Sequence, residues 1–198
     1  MPLTSAWCGT RAGKAMISLI RRRLLAAAVA LPVVPAFGQT RPLTCGALTT
    51  SQTEGPFFKT NTPFRVSLVE PQSKAPRLIV TGQVLSAQCR PVANALLDFW
   101  HADEDGEYDN RGFRYRGHQF TDAEGRYRLQ TIVPAEYPGR ARHIHVKVQA
   151  PGKRILTTQL YFRDEPGNRR DGLYRPDLEM RMAGKGAGEG IFDFVVEV

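Results

Sequence analysis

Cysteine and histidine are scarce in this 198-residue chain, at three and four copies. No Cys-x-x-Cys or His-x-x-x-His pair occurs, which excludes the common zinc ribbons and the helical zinc-hydrolase signature. Beyond residue 38 no long helical periodicity appears, so a helical bundle is excluded, and no internal repeat points to a solenoid or propeller. Acid is missing from the first 38 residues, where Arg11, Lys14, Arg21, Arg22 and Arg23 supply five of the eight formal net positive charges. The remainder carries only +3, with Lys and Arg interleaved among Asp and Glu and no basic aromatic motif. The high overall charge therefore does not make a nucleic-acid binder.

Long apolar runs are also lacking. The uncharged run "LLAAAVALPVVPAFGQT", Leu24 to Thr40, is short for a membrane span and is broken by Pro32 and Pro35. It follows Arg21-Arg22-Arg23 and ends near the small residues Ala36 and Gly38, the pattern of an export signal over residues 1–38. Met16 is an alternative start, and "RRRLL" loosely resembles a twin-arginine signal beside the ordinary Sec type. The expectation is a periplasmic or extracellular protein without a stable membrane anchor; a retained anchor is the alternative. Past Gly38 two cysteines remain, Cys45 and Cys89. They allow one disulfide or two separate thiols, and sequence leaves both open.

What is present is strand-like. Residues 39–60 read as an extended N-terminal arm leading into "TEGPFF". From Arg77 the segments "RLIVTGQVLS", "ALLDFWHA", "HQFTD", "GRYRLQTIV", "HIHVKVQA", "ILTTQLYF" and "GIFDFVVEV" alternate with turn signals such as "DAEG", "APGK" and "DEPGN". This pattern predicts an all-β antiparallel β-sandwich over residues 61–198, with residues 163–189 as a long loop before the last strand.

Within "ARHIHVKV", His143 and His145 stand one residue apart. On a strand both imidazoles project to one face while Ile144, Val146 and Val148 project to the other. A pair alone does not make a metal site. The donors at hand are tyrosines: Tyr137, six residues upstream in "PAEYPGRARHIH", and Tyr108 in the turn of "WHADEDGEYDN". A phenolate is a hard anionic oxygen donor, suited to a ferric ion more than to zinc.

The set "TEGPFF", "LLDFWHADEDGEYDN", "GRYRLQTIVPAEYPGRARHIHVKV" and "LTTQLYF", in that order from Thr53 to Tyr161, resembles the intradiol ring-cleavage dioxygenases, the family of protocatechuate 3,4-dioxygenase and catechol 1,2-dioxygenase. The resemblance implies a prealbumin-like β-sandwich with one non-haem Fe(III) held by Tyr108, Tyr137, His143 and His145. It implies that Tyr137 leaves the metal to help take up a substrate proton, that Arg140 stabilises negative charge on the reacting ring, and that Gln159 orients substrate. The implied reaction inserts O2 between the two hydroxyl-bearing carbons of a catechol-type aromatic, giving a cis,cis-muconate-type product. The implied partners are a small aromatic diol and O2, with a homo-oligomer or a partner subunit left open by the chain's size.

Plainer alternatives exist for each residue. Tyr108 can pack a turn, Tyr137 can be a hairpin aromatic, Arg140 a surface charge and Gln159 a solvent-facing amide. Arg142 competes with Arg140; it would either place positive charge beside the metal, favouring an acidic substrate such as protocatechuate, or simply face solvent. His101 and His118 read as structural or surface residues, Trp100 as core, and Tyr115, Tyr127 and Tyr161 as packing or pocket wall. Because "VTGQVLSAQCRPVANALLDFW" resembles the opening of prealbumin-like sandwich modules, an exported non-catalytic binding module is the alternative function.

Overall fold

The computed structural model describes residues 45–183 and 188–198; the export signal expected over residues 1–38 lies outside them. Among the described residues nine strands form two sheets: β1 (Arg77–Ser86), β2 (Leu96–Trp100), β3 (Arg116–Phe120), β4 (Arg126–Ile132), β5 (His143–Gln149), β6 (Leu156–Tyr161), β7 (Arg181–Met182), β8 (Glu189–Ile191) and β9 (Phe194–Val196). The first sheet runs β4-β1-β8-β7, with β9 also paired to β1, and the second runs β3-β2-β5-β6. The sandwich expected from the strand spacing is thus the observed architecture. One refinement concerns direction, because β8 and β9 run parallel to β1 while the other pairs are antiparallel.

The last predicted strand, "GIFDFVVEV", is broken in two. At Gly82, in the middle of β1, a Cβ atom would lie 1.6 Å from the Phe192 carbonyl oxygen. Only glycine lets the backbone of Phe192 approach so closely. That carbonyl leaves the ladder and accepts the Tyr127 hydroxyl at 2.9 Å instead, so pairing resumes with β9 after the interruption. The loop expected over residues 163–189 also has more structure than foreseen: two 3-10 turns, Pro166–Arg169 and Pro176–Leu178, and then β7 and the start of β8.

Period-2 alternation fills the space between the sheets. Leu78, Val80 and Val84 of β1, Leu129 of β4, Leu97 and Phe99 of β2, Ile144, Val146 and Val148 of β5 and Leu160 of β6 are all fully buried there. Each such side chain contributes about 1.5–3 kcal/mol by leaving water. The opposite face of the second sheet is covered instead by the chain before β1 and by loops. Residues 45–60 contain no helix or strand and lie along the strands, with Gln52 N–H donating to Thr157 O at 2.8 Å and Thr158 Oγ1 donating to Thr50 O at 2.7 Å. Cys45 and Cys89 form a disulfide, which resolves the open alternative and ties this segment to the loop after β1.

Candidate active site

The covered outer face of the second sheet holds the candidate residues. Register places Arg116 of β3 opposite Trp100 of β2, Trp100 opposite His145 of β5, and His145 opposite Gln159 of β6. Opposed residues share a face, so one row of side chains crosses all four strands. His143 lies opposite Tyr161 in the neighbouring row on the same face.

The two imidazoles converge as their spacing predicts, with the Nε2 atoms 3.0 Å apart. His143 Nδ1 is 2.6 Å from the Ala141 carbonyl oxygen. A proton on Nδ1 makes that bond, which leaves the Nε2 lone pair aimed into the site. Trp100 lies flat on His145, ring centroids 4.8 Å apart and planes 7° from parallel. From the loop after β2, Tyr108 brings its hydroxyl to 3.5 Å from His143 Nε2. Phe57, from "TEGPFF", stacks on the Tyr108 ring at 4.4 Å, and Tyr137 meets that ring edge-on at 5.8 Å.

Local turn chemistry sets Tyr137 beside Arg140. In Tyr137-Pro138-Gly139-Arg140 the Arg140 N–H donates to the Tyr137 carbonyl at 2.9 Å, and Gly139 has φ +82°. Proline at the second position and a positive-φ glycine at the third make a type II turn, which brings its two ends together. Arg140 Nη1 then donates to the Tyr137 hydroxyl at 3.2 Å. Its Nη2 donates to Gln159 Oε1 at 2.5 Å, and its Nε to both Asp171 carboxylate oxygens at 3.1 and 3.0 Å. Gln159, fully buried, donates through Nε2 to the Thr53 carbonyl at 3.0 Å. A cavity of about 300 Å³ opens beside Tyr137 and Arg140, with Glu136, Gly167, Arg170 and Asp171 in its wall.

Burial governs the electrostatics. It pushes the His143 imidazole down to about 4, with the Arg140 cation adding to the effect, and burial, then His143, holds His145 well below the usual imidazole range. Both rings are therefore neutral near pH 7, with lone pairs available. Tyr108 is pushed well above the ordinary phenol range, chiefly by burial and next by Tyr137. A phenol in that position ionises only beside a cation. Among the described residues no group of three or more His, Cys, Asp or Glu side chains is arranged to hold a metal. The converging set is two phenols and two imidazoles. Donors about 2.1 Å from one ion and at right angles to each other lie about 3 Å apart, as the two Nε2 atoms do. Hard phenolate oxygens with two neutral nitrogens fit a ferric ion.

A family described as "Dioxygenase" matches residues 53–173. Among curated relatives, chlorocatechol 1,2-dioxygenase from a Pseudomonas species is 31% identical over 73% of this chain and 68% of its own length. The protocatechuate 3,4-dioxygenase beta chain of Burkholderia cepacia is 37% identical over 46% of each chain. The chain belongs to the intradiol ring-cleavage dioxygenase family. It spans between 46% and 68% of the length of these two relatives. Among solved structures, the dioxygenase domain of a dioxygenase–carbohydrate-binding protein fusion from Streptomyces sp. SirexAA-E is 53% identical with a TM-score of 0.74, covering 77% of this chain and 99% of that one. The 3-chlorocatechol 1,2-dioxygenase of Rhodococcus opacus 1CP is 28% identical with a TM-score of 0.67, covering 74% and 71%.

In this intradiol dioxygenase the six side chains singled out from sequence, Tyr108, Tyr137, Arg140, His143, His145 and Gln159, lie in one cluster. Several plainer readings fail on geometry. Gln159 does not face solvent, and Arg140 is not a free surface charge, its side chain being 13% exposed and paired with Asp171. Arg142 points elsewhere, its Nε 3.3 Å from Glu165 Oε2. It thus adds no free positive charge toward the cluster. His101 is a buried structural residue, with its Nδ1 2.7 Å from Ala102 O and its Nε2 2.6 Å from Thr131 Oγ1, and His118 is half-buried against Thr62. Trp100 and Tyr161, expected as core or wall, touch the site directly. The Tyr161 hydroxyl is within reach of Arg140 at 3.3 Å and donates to Gln159 Oε1 at 3.0 Å. Sequence reasoning missed Asp171. Its side chain is wholly buried and accepts Arg140 Nε and the backbone N–H groups of Ala141 and Leu173. Only its place in "RRDGLY", inside a loop of unremarkable polar composition, marked it.

Proposed function

We propose that this intradiol dioxygenase holds Fe(III) through Tyr108, Tyr137, His143 and His145 and inserts O2 between the hydroxyl-bearing carbons of a catechol-type aromatic, yielding a cis,cis-muconate-type product. The observation that carries this reading is the convergence of two tyrosine hydroxyls and two imidazole nitrogens beside a buried guanidinium. When bound, a ferric ion would draw electron density from a catecholate and make a ring carbon reactive toward triplet O2.

The chain's own residues supply the rest. Tyr137 is the more exposed of the two tyrosines, so its hydroxyl oxygen is the atom placed to take up a substrate proton. Arg140 Nη1, 3.2 Å away, stabilises that oxygen while it carries charge and faces the negative charge that builds on the ring. Gln159 is largely spent on Arg140, Tyr161 and Thr53, so it acts mainly by fixing the guanidinium, more than by gripping substrate. Trp100, Phe57 and the segment that carries Phe57 keep water from the imidazoles. We also propose export to the periplasm or beyond, on the strength of the basic and apolar leader. A non-catalytic module is the weaker reading, since packing alone gives no reason to assemble this polar cluster.

Visible absorption of the ferric-loaded protein tests the proposal. A phenolate-to-iron charge-transfer band is expected, altered in Tyr137→Phe and weakened or lost in Tyr108→Phe, together with oxygen uptake on at least one of catechol, protocatechuate, hydroxyquinol or a larger lignin-derived diol. A ferric-loaded protein with no such band and no uptake on that panel would overturn it.

A further inference from the structure

A second guanidinium lies behind the site. Arg116 begins β3 at the end of the row that runs through Trp100, His145 and Gln159, and it is 0% exposed. Its hydrogen-bond partners are two neutral carbonyls. Nε donates to Asp109 O at 3.1 Å and Nη1 to Phe57 O at 2.6 Å, while Nη2 is buried without a hydrogen-bond partner. Keeping a cation out of water on such partners is costly unless negative charge is supplied nearby; the acidic groups that act on it are Tyr108 first, then the Asp109 and Asp98 carboxylates.

Both carbonyls bear on Tyr108. Asp109 is its neighbour in the chain, and Phe57 is the ring stacked on it. The guanidinium carbon itself lies 5.8 Å from the Tyr108 ring centroid. One side chain therefore ties together the loop that carries Tyr108 and the ring that covers it. The residue before Arg116 is unusual too. Tyr115 has φ +53°, a left-handed conformation disfavoured for a bulky side chain, and its hydroxyl is secured by Glu104 at 2.8 Å.

We propose that Arg116 is a positioning residue for Tyr108, fixing the phenol from behind and supplying the positive charge that steadies its oxygen as an anionic ligand. The proposal rests on the ferric reading above. Arg140, which hydrogen-bonds Tyr137, is the stronger positive influence on Tyr108; what Arg116 adds is a second cation together with the tie to the Asp109 and Phe57 carbonyls. A cation close to the phenolate lowers the energy of the electrons that a charge-transfer transition moves toward the metal, so the transition needs more energy while the cation is present. Removing it shifts the band to longer wavelength and loosens the metal.

The test compares ferric-loaded parent, Arg116→Met and Arg116→Lys by band position and by the rate at which a chelator strips the iron. Arg116→Met should absorb at longer wavelength and lose iron about 10-fold faster or more, the usual scale for losing a group that supports a ligand. Arg116→Lys keeps charge without the planar fork and should shift in the same direction by less. A purely structural arginine would lower the melting temperature and leave band and release rate where they are; that result overturns the proposal. Should Arg116→Met fail to fold, the Lys variant decides by the same two readouts. If the parent shows no band, the ferric reading falls and takes this proposal with it. If the parent shows the band and the variants match it, only the proposal falls.

Discussion

On β5 the inward and outward residues are buried to nearly the same depth, Ile144, Val146 and Val148 at 0% exposure and His143 and His145 at 2% and 1%. Different physics holds them. The inward side chains meet other hydrocarbon, a non-directional interaction that tolerates a change of shape if volume is kept. The outward ones are fixed by direction: a carbonyl behind His143, a stacked indole on His145, and the Tyr108 hydroxyl in front. Equal burial therefore hides an unequal division of labour. The inward face carries stability, and in the function proposed above the outward face carries chemistry at some cost in stability.

Substitutions on the two faces should separate those contributions. The largest effect is expected from His145→Ala: catechol-dependent oxygen uptake falls by more than about 100-fold, beyond what losing an outer support costs, while the protein remains folded. Ile144→Ala, its neighbour on the other face, should lower the unfolding free energy by about 2–5 kcal/mol and leave the iron content per chain unchanged. Denaturant titration and metal analysis on both proteins check the pair. If Ile144→Ala lost its iron while stable, or His145→Ala unfolded while keeping iron, the division between faces would be wrong.

Next in size is Asp171→Asn. The pair it forms with Arg140 is buried, and the amide can accept from Nε on one side only. A misaligned guanidinium should cost about 100-fold to 1,000-fold in kcat, the scale for losing one fixed donor to developing charge, with a smaller change in KM. Steady-state oxygen-uptake kinetics separate the two parameters. Equal losses in Asp171→Asn and Arg140→Met would support a role carried through the arginine. An active Asp171→Asn beside an inactive Arg140→Met would remove Asp171 from the site.

These residues also show what sequence could and could not reveal. The His-x-His pair and the apolar alternation of β5 are local patterns, legible because a strand period dictates them; the Tyr-Pro-Gly-Arg turn is equally local, though the sequence reads there only as a hairpin aromatic at Tyr137. The ordered motifs carried the family, and with it Tyr108 and Gln159. Asp171 was illegible because its meaning depends on a loop folding back over β5 and β6 from thirty residues away. Arg116 depends on the cross-strand register and on a left-handed Tyr115, for which composition holds no signal. The break between β8 and β9 depends on how closely Phe192 approaches Gly82, a contact that apolar alternation along "GIFDFVVEV" conceals.

A smaller effect should appear with pH. His101 is 1% exposed, and burial pushes its pKa down to about 4, the bond to Ala102 only partly opposing this. In the unfolded chain an imidazole titrates near 6.5. Between those values the unfolded chain binds a proton that the folded chain refuses. Stability from this group is thus complete above pH 6.5 and is lost as pH falls toward 4. In metal-free protein His101→Gln should flatten that limb by on the order of 3 kcal/mol at most. Denaturant midpoints at pH 7 and pH 4.5, taken for both proteins, provide the measurement. An unchanged slope would mean that His101 is not refusing its proton.

The smallest effect is expected where two arginines of one turn diverge. Arg140 and Arg142 carry the same charge two residues apart, yet Arg140 crosses the turn to Tyr137 and Gln159 while Arg142 reaches Glu165. The Arg142–Glu165 pair is partly exposed, at 31% and 22%, so removing it should cost about 0.2–1 kcal/mol. Arg142→Ala should therefore leave kcat/KM close to the parent's for neutral and carboxylated catechols alike, while Arg140→Met does not. A selective loss on carboxylated catechols in Arg142→Ala would mean that its charge is felt at the ring despite Glu165. Field strength near the iron, and not the direction of one guanidinium, would then set the difference between the two arginines.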